Sequence, residues 1–352
     1  MKKRVGIGVA GNWIIDHVKI VDCWPEESAL ANILSQGRGT GGAPYNVAVG
    51  LRKLDPCLPI ECIGLIGRDP DGEFILGNMR ALHCNTRQLR QTRAAPTSYT
   101  DVMTVQGTGN RTFFHNRGAN ALFGIEHLDF DAINARIFHL GYLLLLDQLD
   151  RGDPEYRTVA ARVLHNLRRR GIKTSVDVVS EDSQRFARIV NPALPHIDYL
   201  ILNEFEACRT TGHQPRRGKQ LDMAAIRSSA RELLKRGVHE LVVIHMPEGG
   251  YALERRGRET TQPSLDLPPG YIKGTVGAGD AFCAGVLYGL YRRWPIRKCL
   301  LLAACCGAAC LSDPTCTAGM RSLAETLALA QQFPNRGQSP FSSDSSLNRR
   351  KR

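Results

Sequence analysis

The stretch GTVGAGDAFCAGVLYGL, residues 274–290, decides how this chain reads. It runs from small residues into an amphipathic helix. Gly277, Ala278 and Gly279 form the turn ahead of that helix, so their backbone N–H groups converge on one point and the positive end of the helix dipole adds to the field there. Such a turn cradles a phosphate. Asp280 stands at the same helix start, placed to take the proton from a hydroxyl attacking a phosphorus held in the cradle. Glycines before an Asp-started helix are by themselves a common capping device. The specificity lies in the whole string.

Working outward, the preceding residues alternate between strand and helix. From Arg136 onward come the strand RIFHLGY, a helix over 154–170, the strand KTSVDVV, a helix, the strand DYLIL, a helix, and the strand ELVVIH. Residues 5–11 read as a buried strand that delivers 12–16 as a loop at its end. GRGTGGAPYNVAVGLRKL reads as a loop feeding a helix with Val47, Leu51 and Leu54 on one face. PIECIGLIGRDPDG reads as a strand closed by a Pro-Asp-Gly turn, with a helix over 73–82. Two short strands around QGTGNR, within 98–115, form a hairpin outside the main sheet. After the deciding stretch come further helices, Ile296–Leu311 and 322–333. The pattern predicts an α/β fold with a mostly parallel, twisted central sheet covered on both faces. No internal repeat is present. Ser, Pro, Asn and Arg dominate 334–352, which reads as a disordered basic tail.

A chain of 352 residues with 43% hydrophobic content can bury a large core. The net charge is +12, of which the tail carries about a third. The remainder sits in runs such as Arg168, Arg169 and Arg170 without interleaved aromatics, which argues against a specific nucleic-acid reader. Eleven irregularly spaced cysteines in apolar runs point to a reducing compartment, and hence to the cytoplasm. Cys305, Cys306, Cys310 and Cys316 sit among alanines and read as helix-packing residues, not metal ligands. No apolar run reaches eighteen residues, and MKKRVGIGVAG lacks an export signal, so no membrane role is expected.

Residues 275–282 resemble the C-terminal signature of the ribokinase-like (PfkB) carbohydrate kinases, and the resemblance extends over about 4–333. It implies a three-layer α/β/α kinase domain over 1–333 with a small β lid from about 13–40 and 96–118. By the same resemblance Asp280 is the catalytic base, and Gly277, Ala278 and Gly279 form the anion hole. Gly41, Gly42 and Asn46 in GGAPYN match the stretch that admits sugar. Asp16 matches the acid that binds two sugar hydroxyls, a role suited to a bidentate acceptor. Arg117 and Asn120, in FFHNRGANA, follow the hairpin and return toward the substrate. Asn203 and Glu206 in NEFE resemble the motif that organises magnesium, with Asn203 acting through water, as a hard cation that retains water requires. Asn203, His245, Gly250, Thr275, Gly277 and Gly279 are the expected nucleotide contacts.

The implied activity is ATP- and Mg2+-dependent phosphorylation of a hydroxyl, a primary CH2OH, on a small sugar, with lids that pair two copies. There are three departures. Gly274 replaces the acid linked to a monovalent-cation site, and His245 and Pro247 replace Thr and Gly at a strand end near the nucleotide. A nucleoside kinase of the same fold is the nearest alternative. A phosphosugar kinase would need Arg38 and Arg117 as a second phosphate site. From another class, a non-catalytic regulator that binds sugar or nucleotide stays open.

Overall fold

The alternating runs fold into one nine-stranded sheet in the computed structural model, which describes residues 4–181 and 184–337. Across the sheet the strands run Glu259–Pro263, Gly249–Glu254, Leu241–Met246, Tyr199–Asn203, Lys173–Val178, Ile137–Leu143, Ile7–Gly11, Ile60–Gly67 and Asn85–Thr92. Every pairing from Leu241–Met246 to Asn85–Thr92 is parallel. The last two strands on the opposite edge pair antiparallel.

Period-two alternation divides the core between the two faces. Leu200, Leu202, Val242 and Ile244 pack with Leu164, Val190 and Leu233 on one side. Ile201 and Val243, one residue out of phase, pack with Val47, Leu287 and Leu302 on the other. The result is a three-layer α/β/α architecture. Helices Ala278–Tyr291 and Ile296–Leu311 approach so closely that a Cβ on Gly285 would lie 2.6 Å from Ala303 Cα. The small residues around Cys305, Cys306 and Cys310 permit this approach, and all three thiols are buried and free.

A second sheet of four strands has the order Ile33–Gly41, Ile14–Val21, Tyr99–Val105, Arg111–Asn116. Its middle pair is parallel and its outer pairs antiparallel. Asp71, on helix Pro70–Ala81, ties it to the main body through His17 Nε2 at 2.9 Å and Arg38 at 3.1 Å.

Several local expectations are corrected. Asp16 lies in a strand, not in a loop over 12–16, and the glycine-rich residues before Gly42 end a second strand paired to it. The Pro-Asp-Gly sequence is the first turn of helix Pro70–Ala81, because Asp69 caps it by accepting from the Gly72 N–H. The helix expected over 154–170 is Val159–Arg169, capped by Thr158. Strands Asn85–Thr92, Gly249–Glu254 and Glu259–Pro263 were not anticipated, since their polar or glycine-rich sequences give no clean alternation. The tail expected from 334 begins as paired backbone: Asp266 N–H donates to the Pro334 carbonyl, and Arg336 N–H to that of Ser264. Residues 338–352, the rest of the expected tail, lie outside the described residues.

Candidate active site

Parallel strands place their C-terminal ends, and the loops that follow, on one edge of the sheet, where ligands collect in open α/β folds. Tyr142, Asp177, Asn203 and His245 stand at or near such ends. Helix Ala278–Tyr291 starts above them. Its N-cap Gly277 has φ 82°, and a Cβ there would lie 2.6 Å from the Cys316 carbonyl oxygen, so only glycine suits the turn.

Asp280 is buried in the first turn of this helix. Its Oδ2 accepts from Asn46 Nδ2 at 2.7 Å and its Oδ1 accepts from the Tyr142 hydroxyl at 2.7 Å. Burial raises the carboxyl above its usual range, and these two donors pull the other way. Asn46 projects from helix Ala43–Leu54, and its Oδ1 is buried with no hydrogen-bond partner among the described residues. Asp16 reaches the same place from the second sheet, where burial chiefly, and Asp280 in part, push its pKa to about 6. Its Oδ2 would lie 2.7 Å from a Cβ at Gly41, so the absent side chain there is what gives the carboxylate room.

Two cavities meet at the glycine turn. One of about 480 Å³ is lined by Leu265, Leu267, Ile272, Ala304, Ala308 and Leu311, among others, and reaches Thr275, Ala278 and Gly279. The other, of about 140 Å³, is lined by Tyr142, Asp177, Glu206, Gly277 and Asp280. Asn203, His245 and Gly279 border both. Gly274 packs so closely on Pro314 that a Cβ would lie 2.9 Å from its Cα, leaving no room for an acid there. The His245 ring lies against Phe282 at 5.3 Å and beside Gly279, and burial lowers its pKa to about 4, so the imidazole is neutral.

The smaller cavity gathers carboxyl groups. Glu206 is pushed up to about 7 by burial, and burial together with Glu206 and Asp280 raises Asp177. Such a set is stabilised by protons or by a cation. Asn203 caps helix Glu204–Thr211 and forms a reciprocal box with Glu206, whose Oε1 accepts from Ser180 at 2.6 Å and from Asn203 Nδ2 at 2.8 Å.

The sequence profile of the pfkB family carbohydrate kinases matches residues 9–323. The chain belongs to the pfkB family of carbohydrate kinases. Like other members, it is a phosphotransferase with an alcohol group as acceptor. It is 25% identical to ribokinase of Arabidopsis thaliana over 86% of this chain and 75% of that protein. It is 28% identical to fructokinase of Klebsiella pneumoniae over 76% of this chain and 83% of the relative. The structure of Arabidopsis ribokinase complexed with ribose and ATP superposes with a TM-score of 0.77 at 22% identity, covering 93% of this chain and 98% of the other, and so shares the fold.

Within this pfkB kinase, some expected site residues stand elsewhere. Asn120 is buried against Trp13, accepting from its N–H and donating to its carbonyl, because the end of the first strand needs those partners. Arg117 donates to the Leu144 carbonyl and pairs with Asp147 at 2.5 Å. Gly250 is packed under the Phe282 ring, and Gly249 lines the larger cavity in its place. Arg38 donates to Asp71 and lies over Phe74 at 3.9 Å, so both arginines already pair with a carboxylate. Sequence reasoning missed Tyr142, Asp177 and Arg336. An acid inside the otherwise buried run KTSVDVV was the one available signal. Tyr142 falls in the strand run RIFHLGY and Arg336 in the expected tail.

Proposed function

We propose that this kinase transfers the γ-phosphoryl group of ATP to a primary hydroxyl of a small sugar. The observation that carries the reading is the junction of the two cavities at 277–280, with an apolar space on one side and Asp280 on the other. The larger cavity suits an adenine, with Thr275, Gly279 and neutral His245 toward its phosphates. Gly277, Ala278 and Gly279 direct N–H groups at the transferring phosphoryl group, and Asp280 takes the proton of the attacking hydroxyl. Asp16 and the unpartnered Asn46 Oδ1 supply acceptors for neighbouring sugar hydroxyls, beside Gly41 and Gly42.

Oxygen donors at Glu206 and Asn203, beside the carboxylate of Asp177, fit magnesium held through its waters, which would neutralise phosphate charge. With no acid at 274, no monovalent-cation dependence is proposed. The second sheet acts as a lid that excludes water, latched by Asp71 to His17 and Arg38. Its exposed Ile33, Leu34, Phe113 and Phe114, with Trp24 stacked on Phe114, favour pairing of two copies. Eleven free cysteines favour the cytoplasm, and among the described residues no helix is long and apolar enough to cross a membrane.

The test is ADP release with ATP and magnesium over a panel of ketoses, aldoses, polyols and nucleosides. Sugar-dependent release supports the proposal. Release with nucleosides alone replaces it by the nucleoside-kinase reading, and silence throughout by a binding role.

A further inference from the structure

Asp280 has no ion pair among the described residues. The groups that face it are acids and thiols: Asp16 from strand Ile14–Val21, Asp177 from Lys173–Val178, Glu206 from helix Glu204–Thr211, and Cys283, Cys310 and Cys316. Burial opposes a charge on Asp280, and a charge there in turn raises Asp16, Asp177 and Glu206. The orientation of this carboxylate is set by hydrogen-bond donors. Two are present, the Asn46 amide and the Tyr142 hydroxyl.

The Tyr142 donor is fixed at its backbone. Its N–H donates to Asn12 Oδ1 at 2.5 Å, and Asn12, wholly buried, donates its own N–H to the Gly141 carbonyl at 2.8 Å. This clamp sets where the phenol ring projects. Among the described residues the hydroxyl has one hydrogen-bond partner, Asp280 Oδ1. A phenylalanine would fill the same space, so the oxygen serves the carboxylate and not the packing.

We infer that Tyr142 is a positioning residue for the base: its hydroxyl fixes the rotation of the Asp280 carboxylate, so that a free lone pair stays aimed at the attacking hydroxyl. The inference rests on the reading of Asp280 as the base. Each carboxylate oxygen has a second lone pair, so the attacking hydroxyl can donate to Asp280 while both existing donors stay in place. As the O–P bond forms, that hydroxyl's proton passes to Asp280, and Tyr142 keeps its own proton throughout.

The test uses full-length protein labelled with 13C at aspartate carboxyls. The Asp280 signal is the one missing from Asp280→Asn. In Tyr142→Phe its titration midpoint rises by about one pH unit, because a hydrogen bond to a charged group is lost. Replacing Tyr142 by 3,5-difluorotyrosine, a stronger donor of nearly the same shape, moves the midpoint down, and this arm stands if the phenylalanine variant folds poorly. In ADP release with D-ribose, D-fructose and water as acceptors, the acid limb of kcat/KM follows the midpoint while KM for ATP holds. Midpoints that coincide in all three proteins overturn the inference even if Asp280→Asn is inactive. An active Asp280→Asn sinks the base assignment instead, and with it the inference.

Discussion

Replacing Asp280 by asparagine separates chemistry from architecture, because the structure supplies the replacement with partners. In the native protein Oδ2 meets Asn46 Nδ2 and Oδ1 meets the Tyr142 hydroxyl, each at 2.7 Å. An asparagine amide placed toward Asn46 finds that residue's unpartnered Oδ1 after a flip of its amide. Placed toward Tyr142, it finds a hydroxyl that can turn and accept. Two charge-assisted hydrogen bonds are exchanged for neutral ones, a loss of about 1 kcal/mol each, but a buried charge is removed as well. These changes oppose each other, so stability moves by about 1 kcal/mol. Catalysis does not survive in the same way. A general base contributes roughly 10²–10⁴ in rate, or about 3–5 kcal/mol of barrier. ADP release should fall by that factor while the thermal midpoint and ATP affinity, measured by calorimetry, stay near native. Turnover within tenfold of native would refute Asp280 as the base.

Three further outcomes follow from the same geometry. Burial pushes the Asp16 carboxyl from the ordinary 3.8 up to about 6 in the folded protein, so its protonated form stabilises the fold fully below about pH 4, and that contribution is lost as pH rises through 6. Asp16→Asn should therefore flatten the fall in denaturant stability between pH 4 and 6, gain up to about 3 kcal/mol at pH 7, and abolish sugar-dependent turnover; an unchanged slope refutes the shift. Ala308→Leu puts three more carbons into the larger cavity and should raise KM for ATP about tenfold or more, with sugar KM unchanged; equal ATP affinity would mean that the nucleotide lies elsewhere. Phe113→Ser with Phe114→Ser should convert a dimer to a monomer in sedimentation, and a native protein that is already monomeric removes the lid from the interface.

Asn203 and Glu206 show how far the sequence could be trusted. They fall between the strand DYLIL and the helix expected after it, and the structure puts them there as a capping box joined by Ser180 from a neighbouring strand end. Asn120 shows the opposite. Its place after the hairpin suggested substrate, but the buried N–H and carbonyl of Trp13 need partners more urgently, and Asn120 satisfies both. Strand Asn85–Thr92 was invisible because an edge strand with arginines facing solvent has no apolar alternation to read.

By itself the sequence determined the alternating elements, the parallel sheet they imply, and the turn at 277–280, because hydrophobic period and glycine placement are local properties. The tertiary structure alone decided that Tyr142 and Asn46 share Asp280, that Asp16 arrives from a second sheet, and that Arg336 borders the larger cavity. Those residues lie up to 234 positions apart in a contact such as Asn46 with Asp280. No local pattern encodes such a meeting. It exists because parallel strands bring distant loops to one edge of the sheet, and burial then gives each of those side chains its charge and its partner.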